Sequence, residues 1–333
     1  MMEYTKFGGT GLTVSKYCLG TMNMGSSQWK PWVLDERDAG PLLKRAIDAG
    51  ITFFDMANWY SVGENERVVC KVLINLLPRD RLVLATKTYY PMSDDPNDRG
   101  LSRKSILRSV DASLRRMGTD YVDLLIIHAF DTTTPIEETM AALNDVVRAG
   151  KVLYLGASTM FAWQFAEMNH VARANGWTSF VNMQCQYNVL YREEEREMIP
   201  YCRKNGIAVT GFSPLARGWL SNAQGSRSIS DNYYHDFYGD PVDREIMAEV
   251  ARIAAQRNVS TSEVALAWVR QAPGICCPVI GVSRAVQFDQ ALQALSLTLD
   301  ADERLRLDVL YRPRDVISDQ VANPRPRHIP SAR

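Results

Sequence analysis

Apolar residues in this chain come in short unbroken runs, and these alternate with stretches of helical period. Three runs close on a polar residue: Ile51-Thr52-Phe53-Phe54 on Asp55, Leu82-Val83-Leu84-Ala85-Thr86 on Lys87, and Leu124-Leu125-Ile126-Ile127 on His128. Val152–Ala157, Phe180–Gln184, Ile207–Phe212 and Cys277–Ile280 continue the series, with an earlier strand expected around Tyr17–Leu19. Runs that are apolar throughout, rather than alternating, fit a parallel sheet buried on both faces. Helices are predicted at Glu36–Ala49, Glu64–Asn75, Arg103–Met117, Ile136–Ala149, Ala162–Asn175, Glu193–Asn205, Arg244–Asn258 and Val286–Ala294. Gly50, Gly118, Gly150, Gly176 and Gly206 directly follow helices, where a left-handed residue closes the last turn. Ser102 and Asp300 are expected N-caps.

The strand ends Asp55, Lys87, His128, Ser158, Gln184 and Phe212 lie one βα unit apart. Repeated βα units over this length predict an α/β fold, a (β/α)8 TIM barrel, in preference to a doubly wound sheet. A barrel brings every strand's C-terminal end to one rim, where residues distant in sequence meet. The whole chain, 1–333, is expected to form one barrel domain. Three segments fall outside the repeat. Tyr4–Lys16 carries Gly8-Gly9-Thr10-Gly11 and reads as a β-hairpin plugging the barrel floor. The glycines resemble a dinucleotide loop, but no strand-to-helix context follows and that reading is rejected. Ser221–Pro241 is a long polar and aromatic loop, of a length that is usually functional. Residues 312–333, rich in proline and arginine, are expected to form a poorly ordered tail.

Composition narrows the possible partners. Lysines plus arginines number 38 and so do aspartates plus glutamates. A balanced chain without a basic block gives no electrostatic reason to bind nucleic acid or an anionic membrane. No apolar stretch approaches the roughly 20 residues needed to span a bilayer, and no apolar segment follows the N-terminus as in a secretory signal. The six scattered cysteines are expected to be buried reduced thiols of a cytoplasmic protein. Cys276-Cys277 matches no zinc spacing.

An acid, a phenol, an amine and an imidazole converging at one rim make a proton-donor site. Asp55, Tyr60, Lys87 and His128 provide that set. Each has a plainer rival taken alone: a turn cap, a packing tyrosine, a surface lysine, a satisfied histidine. Lysine directly ending an apolar strand is uncommon, and the four together outweigh the separate readings.

The motifs Phe54-Asp55-Met56-Ala57-Asn58-Trp59-Tyr60, Ala85-Thr86-Lys87, Ile126-Ile127-His128, Gly156-Ala157-Ser158, Phe212-Ser213-Pro214-Leu215-Ala216-Arg217-Gly218 and Pro278-Val279-Ile280-Gly281 resemble, in that order, those of the aldo-keto reductases. The resemblance runs from about Tyr4 to Tyr311. It is strongest to the short-loop bacterial and fungal branch, similar to aryl-alcohol dehydrogenases and potassium-channel β subunits. It implies that Tyr60 protonates a carbonyl oxygen and that cationic Lys87, held by Asp55, lowers the phenol pKa from its usual value near 10. His128 would orient the carbonyl, and a nicotinamide cofactor would supply hydride with no metal. Ser158 and Gln184 would hold the carboxamide, Phe212 would stack on the ring, and Gly20, Thr21, Met22 and Asp55 would lie beside it. Ser213, Leu215, Arg217 and Gly218 would approach the pyrophosphate. Gly281, Ser283 and Arg284 would meet the adenosine end, with Gln287 and Gln290 near adenine or ribose. An arginine beside a helix start suits a 2′-phosphate, so NADPH is expected rather than NADH.

Thr159, Met56 and Ala291 depart from the family pattern, which bears on the carboxamide clamp and on cofactor preference. Trp29, Trp32, Trp59, Tyr89, Tyr90 and Phe130 fall on predicted rim loops and would wall a pocket for flat or apolar carbonyls. The expected partner is a small-molecule carbonyl, with the chain a monomer or weak homo-oligomer. Two other functions compete. A regulatory nucleotide-binding subunit would keep the same barrel. A Schiff-base enzyme would use Lys87 as nucleophile, but an Asp55 partner would keep that amine protonated.

Overall fold

The computed structural model describes residues 2–221 and 238–316. An antiparallel hairpin, β1 (Tyr4–Lys6) and β2 (Thr13–Ser15), precedes a closed parallel barrel. The barrel strands are β3 (Cys18–Gly20), β4 (Phe53–Asp55), β5 (Val83–Thr88), β6 (Val122–Ile127), β7 (Val152–Ser158), β8 (Phe180–Gln186), β9 (Ala208–Phe212) and β10 (Ile275–Ile280). They pair in sequence order, and β10 closes the ring between β9 and β3. The fold is the expected (β/α)8 barrel. Around it stand α1 (Glu36–Asp48), α2 (Glu64–Leu76), α3 (Arg103–Met117), α4 (Ile136–Arg148), α5 (Ala162–Ala174), α6 (Met198–Lys204), α7 (Pro241–Arg257), α8 (Thr261–Arg270), α9 (Ala285–Gln293) and α10 (Ala301–Asp308).

Successive side chains on a strand point to opposite faces, and the core divides accordingly. Cys18, Phe53, Val83, Ala85, Leu124, Ile126, Ala208, Cys277 and Val279 form a cluster with Phe7 and Val14 of the hairpin segment. This is the barrel interior. Leu19, Phe54, Leu84, Leu125 and Ile127, one residue out of phase, pack in the larger cluster with the helices. Phe7 meets Phe53 edge-on with ring centroids 5.6 Å apart, so the hairpin plugs the floor as expected. Gly8 permits that fit: at φ +60, an added Cβ would lie 2.5 Å from the Gly206 carbonyl oxygen.

Three elements differ from the sequence reading. The expected helix over Glu193–Asn205 is a 3-10 turn at Glu193–Glu195 followed by α6, with Pro200 in its first turn, where a missing N–H costs no helical bond. Helix α8 was not expected. Its Ser260–Glu263 capping box is complete, with Ser260 Oγ accepting from Glu263 N and Glu263 Oε2 accepting from Ser260 N at 2.9 Å. Residues Ser262 through Val269 are all buried, so the helix lies within the core. Finally, the first residues of the expected tail are fixed. Tyr311 Oη and Arg314 N both donate to Glu193 Oε1, at 2.7 and 2.8 Å, and the Arg314 guanidinium pairs with buried Asp243. The rest of that tail, and most of the loop after Ser221, lie outside the described residues.

Candidate active site

The interior phase of each strand continues to its end. Phe53 is followed two residues later by Asp55, Ala85 by Lys87, and Ile126 by His128, so all three polar groups inherit the inward face. The backbone holds this register past the last strand residues. Met56 N donates to Ala85 O, Asn58 N to Lys87 O, and His128 N to Thr88 O. Tyr60 is delivered by a 3-10 turn in which Ser61 and Val62 both adopt φ near +50. Left-handed backbone at two non-glycine residues costs energy, and such strain clusters at functional sites.

Lys87 and Asp55 are buried, and the Lys87 Nζ lies 2.6 and 2.7 Å from the two Asp55 carboxylate oxygens. It also donates to Met56 O at 2.9 Å and reaches Tyr60 Oη at 3.4 Å. Gln184 Nε2 donates to Asp55 Oδ1 at 2.9 Å from across the barrel. Burial alone would push the Lys87 ammonium down, but the Asp55 carboxylate and the Tyr60 oxygen outweigh it and its pKa lies above the usual lysine value. Lys87 therefore stays protonated, which removes the amine lone pair a Schiff base needs. Tyr60 corrects one expectation. Burial raises its pKa, and Lys87, although it pulls the other way, does not overcome that. The phenol stays protonated, the form a proton donor requires. His128 packs edge-on against Tyr60 at 5.7 Å, and burial followed by the Lys87 charge holds it neutral, well below the usual histidine range. Its buried Nδ1 has no hydrogen-bond partner among the described residues.

The remaining predicted residues occupy the same rim. Thr21 is buried, with its N–H and Oγ1 both donating to Asp55 O, at 3.0 and 2.8 Å. Gly20 ends β3 in register with Asp55, and Met22 is half-buried just beyond. Ser158 Oγ lies 3.1 Å from Thr159 Oγ1, so the threonine that departs from the family pattern pairs with the serine. Phe212 ends β9 half-buried, and Leu215 is half-buried beyond it. Ser213, Ala216 and Arg217 have φ of 54, 47 and 56, and Gly218 has φ 108. At the β10 corner, Gly281, Ser283 and Arg284 are exposed. Gln287 Oε1 accepts from Ser283 N at 2.8 Å and Arg284 N at 3.1 Å, capping α9, while Gln290 Oε1 accepts from Ser262 Oγ at 3.2 Å. Both glutamine carbonyls, expected near adenine or ribose, are engaged locally.

The aromatic residues form one wall. Trp29 contacts Trp32 at 6.2 Å and Trp59 at 5.3 Å, Trp59 lies over Tyr90 at 4.9 Å, and Tyr90 stands edge-on to His128 at 4.8 Å. Tyr90, rather than Tyr89, meets the imidazole. Strand β5 ends at Thr88, so the inward phase stops there, and Tyr89 packs against the outer core instead. Phe130 contacts Trp163 at 6.3 Å, and Trp163 is 62% exposed. Trp163 opens a helix and carries no periodic signal that would mark it from sequence. Asn23, also unforeseen, ties the loop after β3 to the β10 corner through Nδ2 to Val282 O at 2.7 Å.

Comparison with known proteins agrees with this geometry. The family model described as "Aldo/keto reductase family" matches residues 16–312. The chain belongs to the aldo/keto reductase family, and that membership with its named reductase relatives supports an oxidoreductase. Among named relatives, an aldo-keto reductase of Fusarium vanettenii is 43% identical, over 95% of this chain and 92% of that protein. The versiconal hemiacetal acetate reductase of Aspergillus parasiticus is 39% identical, over 95% and 98%. A Schizosaccharomyces pombe protein provisionally named an aryl-alcohol dehydrogenase is 39% identical, over 93% and 96%. No helix among the described residues is long and apolar enough to cross a membrane.

Proposed function

We propose that this chain reduces an aldehyde or ketone to the alcohol with NADPH, using Tyr60 as proton donor. The observation that carries the reading is the Lys87 ammonium, fixed by both Asp55 oxygens and aimed at Tyr60 Oη. Tyr60 gives its phenolic proton to the carbonyl oxygen. The phenolate left behind is stabilised by Lys87, whose own charge is balanced by Asp55. Neutral His128 is the group placed to donate to the same oxygen and orient it. When bound, a reduced nicotinamide supplies the hydride to the carbonyl carbon.

The residues present fit a dinucleotide. Three non-glycine residues between Ser213 and Arg217 adopt left-handed backbone, the kind of strain that clusters at ligand sites. Arg217 adds a cation there, and exposed Ser283 and Arg284 suit a 2′-phosphate. The wall from His128 through Tyr90 and Trp59 to Trp29 favours a flat aromatic or apolar carbonyl substrate.

The test is NADPH oxidation with aromatic, aliphatic and sugar carbonyls, run beside Tyr60→Phe. The expected result is turnover that falls by about 10²–10⁴ in the variant, the usual contribution of a positioned acid, with NADPH affinity within about twofold of wild type. Near-normal turnover in Tyr60→Phe would remove Tyr60 from the role. Tight NADPH binding with no turnover across the panel would favour a nucleotide-binding subunit.

A further inference from the structure

Outside the proton-donor cluster, one fully buried side chain ties the loop after β8 both to the turn after β9 and to Tyr238. Asn188 follows β8 by two residues and is completely buried. Its Oδ1 accepts from Leu190 N at 3.0 Å, which fixes the amide's orientation. Its Nδ2 then makes two donations. One goes to the carbonyl oxygen of Ser213 at 3.0 Å, and the other to Tyr238 Oη at 2.9 Å. Gln186 Nε2 donates to the same phenol oxygen at 2.8 Å, and the Tyr238 ring is buried against Trp219.

Ser213 is the first left-handed residue of the segment that runs to Gly218. Its carbonyl accepts two hydrogen bonds, one from Ala216 N within the turn at 2.9 Å and one from Asn188. The internal bond shapes the turn. The Asn188 bond ties it to the loop after β8. A backbone held at positive φ without glycine persists only when its surroundings over-determine it, and Asn188 is an external constraint on Ser213, beside the β8–β9 ladder and the core packing of Ala216. The same amide fastens Tyr238, three residues before the start of α7.

We propose that Asn188 is a positioning residue for the dinucleotide: it holds the start of the Ser213–Gly218 turn and locks it to Tyr238. The proposal rests on the reading of this turn as a cofactor site. Asn188 acts through backbone and through Tyr238, so it alters how tightly NADPH is held rather than how the carbonyl is protonated.

The experiment titrates NADPH by nicotinamide fluorescence against wild type, Asn188→Ala and Tyr238→Phe, well below each protein's melting temperature. Carbonyl KM is measured at saturating cofactor. Asn188→Ala should raise the NADPH Kd about tenfold, the size expected for losing two hydrogen bonds that support a charged ligand's seat. Its carbonyl KM should stay within about twofold. Tyr238→Phe keeps the buried ring and the Ser213 bond, so its Kd should rise only about threefold. If Asn188→Ala does not fold, Tyr238→Phe still decides, because an unchanged Kd there overturns the coupling. A lowered melting temperature with unchanged Kd in both variants would make Asn188 a packing residue only and overturn the proposal. Failure of the wild type to bind NADPH or NADH would instead defeat the cofactor reading, and the two failures are told apart by that control.

Discussion

Two ends of the same rim are built in opposite ways. At the Asp55–Lys87 end, charged groups stand on strand ends, are almost wholly buried, and find partners on other strands: Lys87 from β5, Asp55 from β4, Gln184 from β8. At the β10 corner, Ser283 and Arg284 are exposed, and the hydrogen bonds that shape them come from Gln287, four residues away or fewer. The first arrangement cannot move without breaking a buried ion pair. The second is a helix start that would exist for any ligand or none. Under the proposed function, the barrel supplies rigid geometry where bonds change and leaves recognition of the far end of the ligand to local, solvated structure.

The sharpest way to break this contrast is to remove the charge that makes the inner end rigid. Asp55→Asn keeps the shape and can still meet Gln184, but it leaves the Lys87 ammonium buried without its counter-charge. Breaking a buried pair in this way costs about 3–5 kcal/mol. Chemical denaturation should report a loss of that size, and a loss under about 1 kcal/mol would mean that the inner end is not held by its ion pair. A second test uses pH. Burial holds His128 neutral in the folded protein, whereas in the unfolded chain it titrates near its ordinary 6.5. Below that pH the unfolded state binds a proton that the native state refuses. Stability is therefore complete above about pH 6.5 and declines as pH falls. For one such group the slope is at most about 1.4 kcal/mol per pH unit. His128→Asn should flatten the stability-against-pH curve between about pH 5 and 6.5 by up to that amount. An unchanged slope would show that His128 takes up its proton at the same pH in the folded and unfolded states, so that burial does not hold it neutral.

The same contrast explains what the sequence disclosed. Asp55, Lys87 and His128 could be read because each is the polar residue that closes an unbroken apolar run, and a barrel brings every such strand end to one rim. The (β/α)8 order followed from the repeat of apolar runs. Where a period stops, the reading stops. Tyr89 and Tyr90 were indistinguishable until the end of β5 at Thr88 showed which one turns back to His128. Helix α8 carries a run of buried residues from Val264 to Val269, and a short continuous apolar run cannot be assigned to helix or strand from its period alone. Asn188 meets a phenol 50 residues away, and no local pattern encodes that contact. The raised Tyr60 pKa was likewise out of reach, since it depends on how completely the fold excludes water from the ring.

The smallest expected effect belongs to the outer corner. Arg284 is exposed, and α9 is capped by Gln287 through backbone donors that do not involve the Arg284 side chain. Arg284→Ala should therefore leave the melting temperature unchanged. An exposed charge pair is worth about 0.2–1 kcal/mol, so NADPH affinity should fall only about two- to fivefold. NADH, which lacks the 2′-phosphate, should bind the variant and the wild type alike, and raising the salt concentration should shrink the NADPH difference. Equal losses for both nucleotides would mean that Arg284 meets the ligand somewhere other than its 2′-phosphate. A loss as large as that from Asp55→Asn would erase the distinction between a rigid inner end and a solvated outer one.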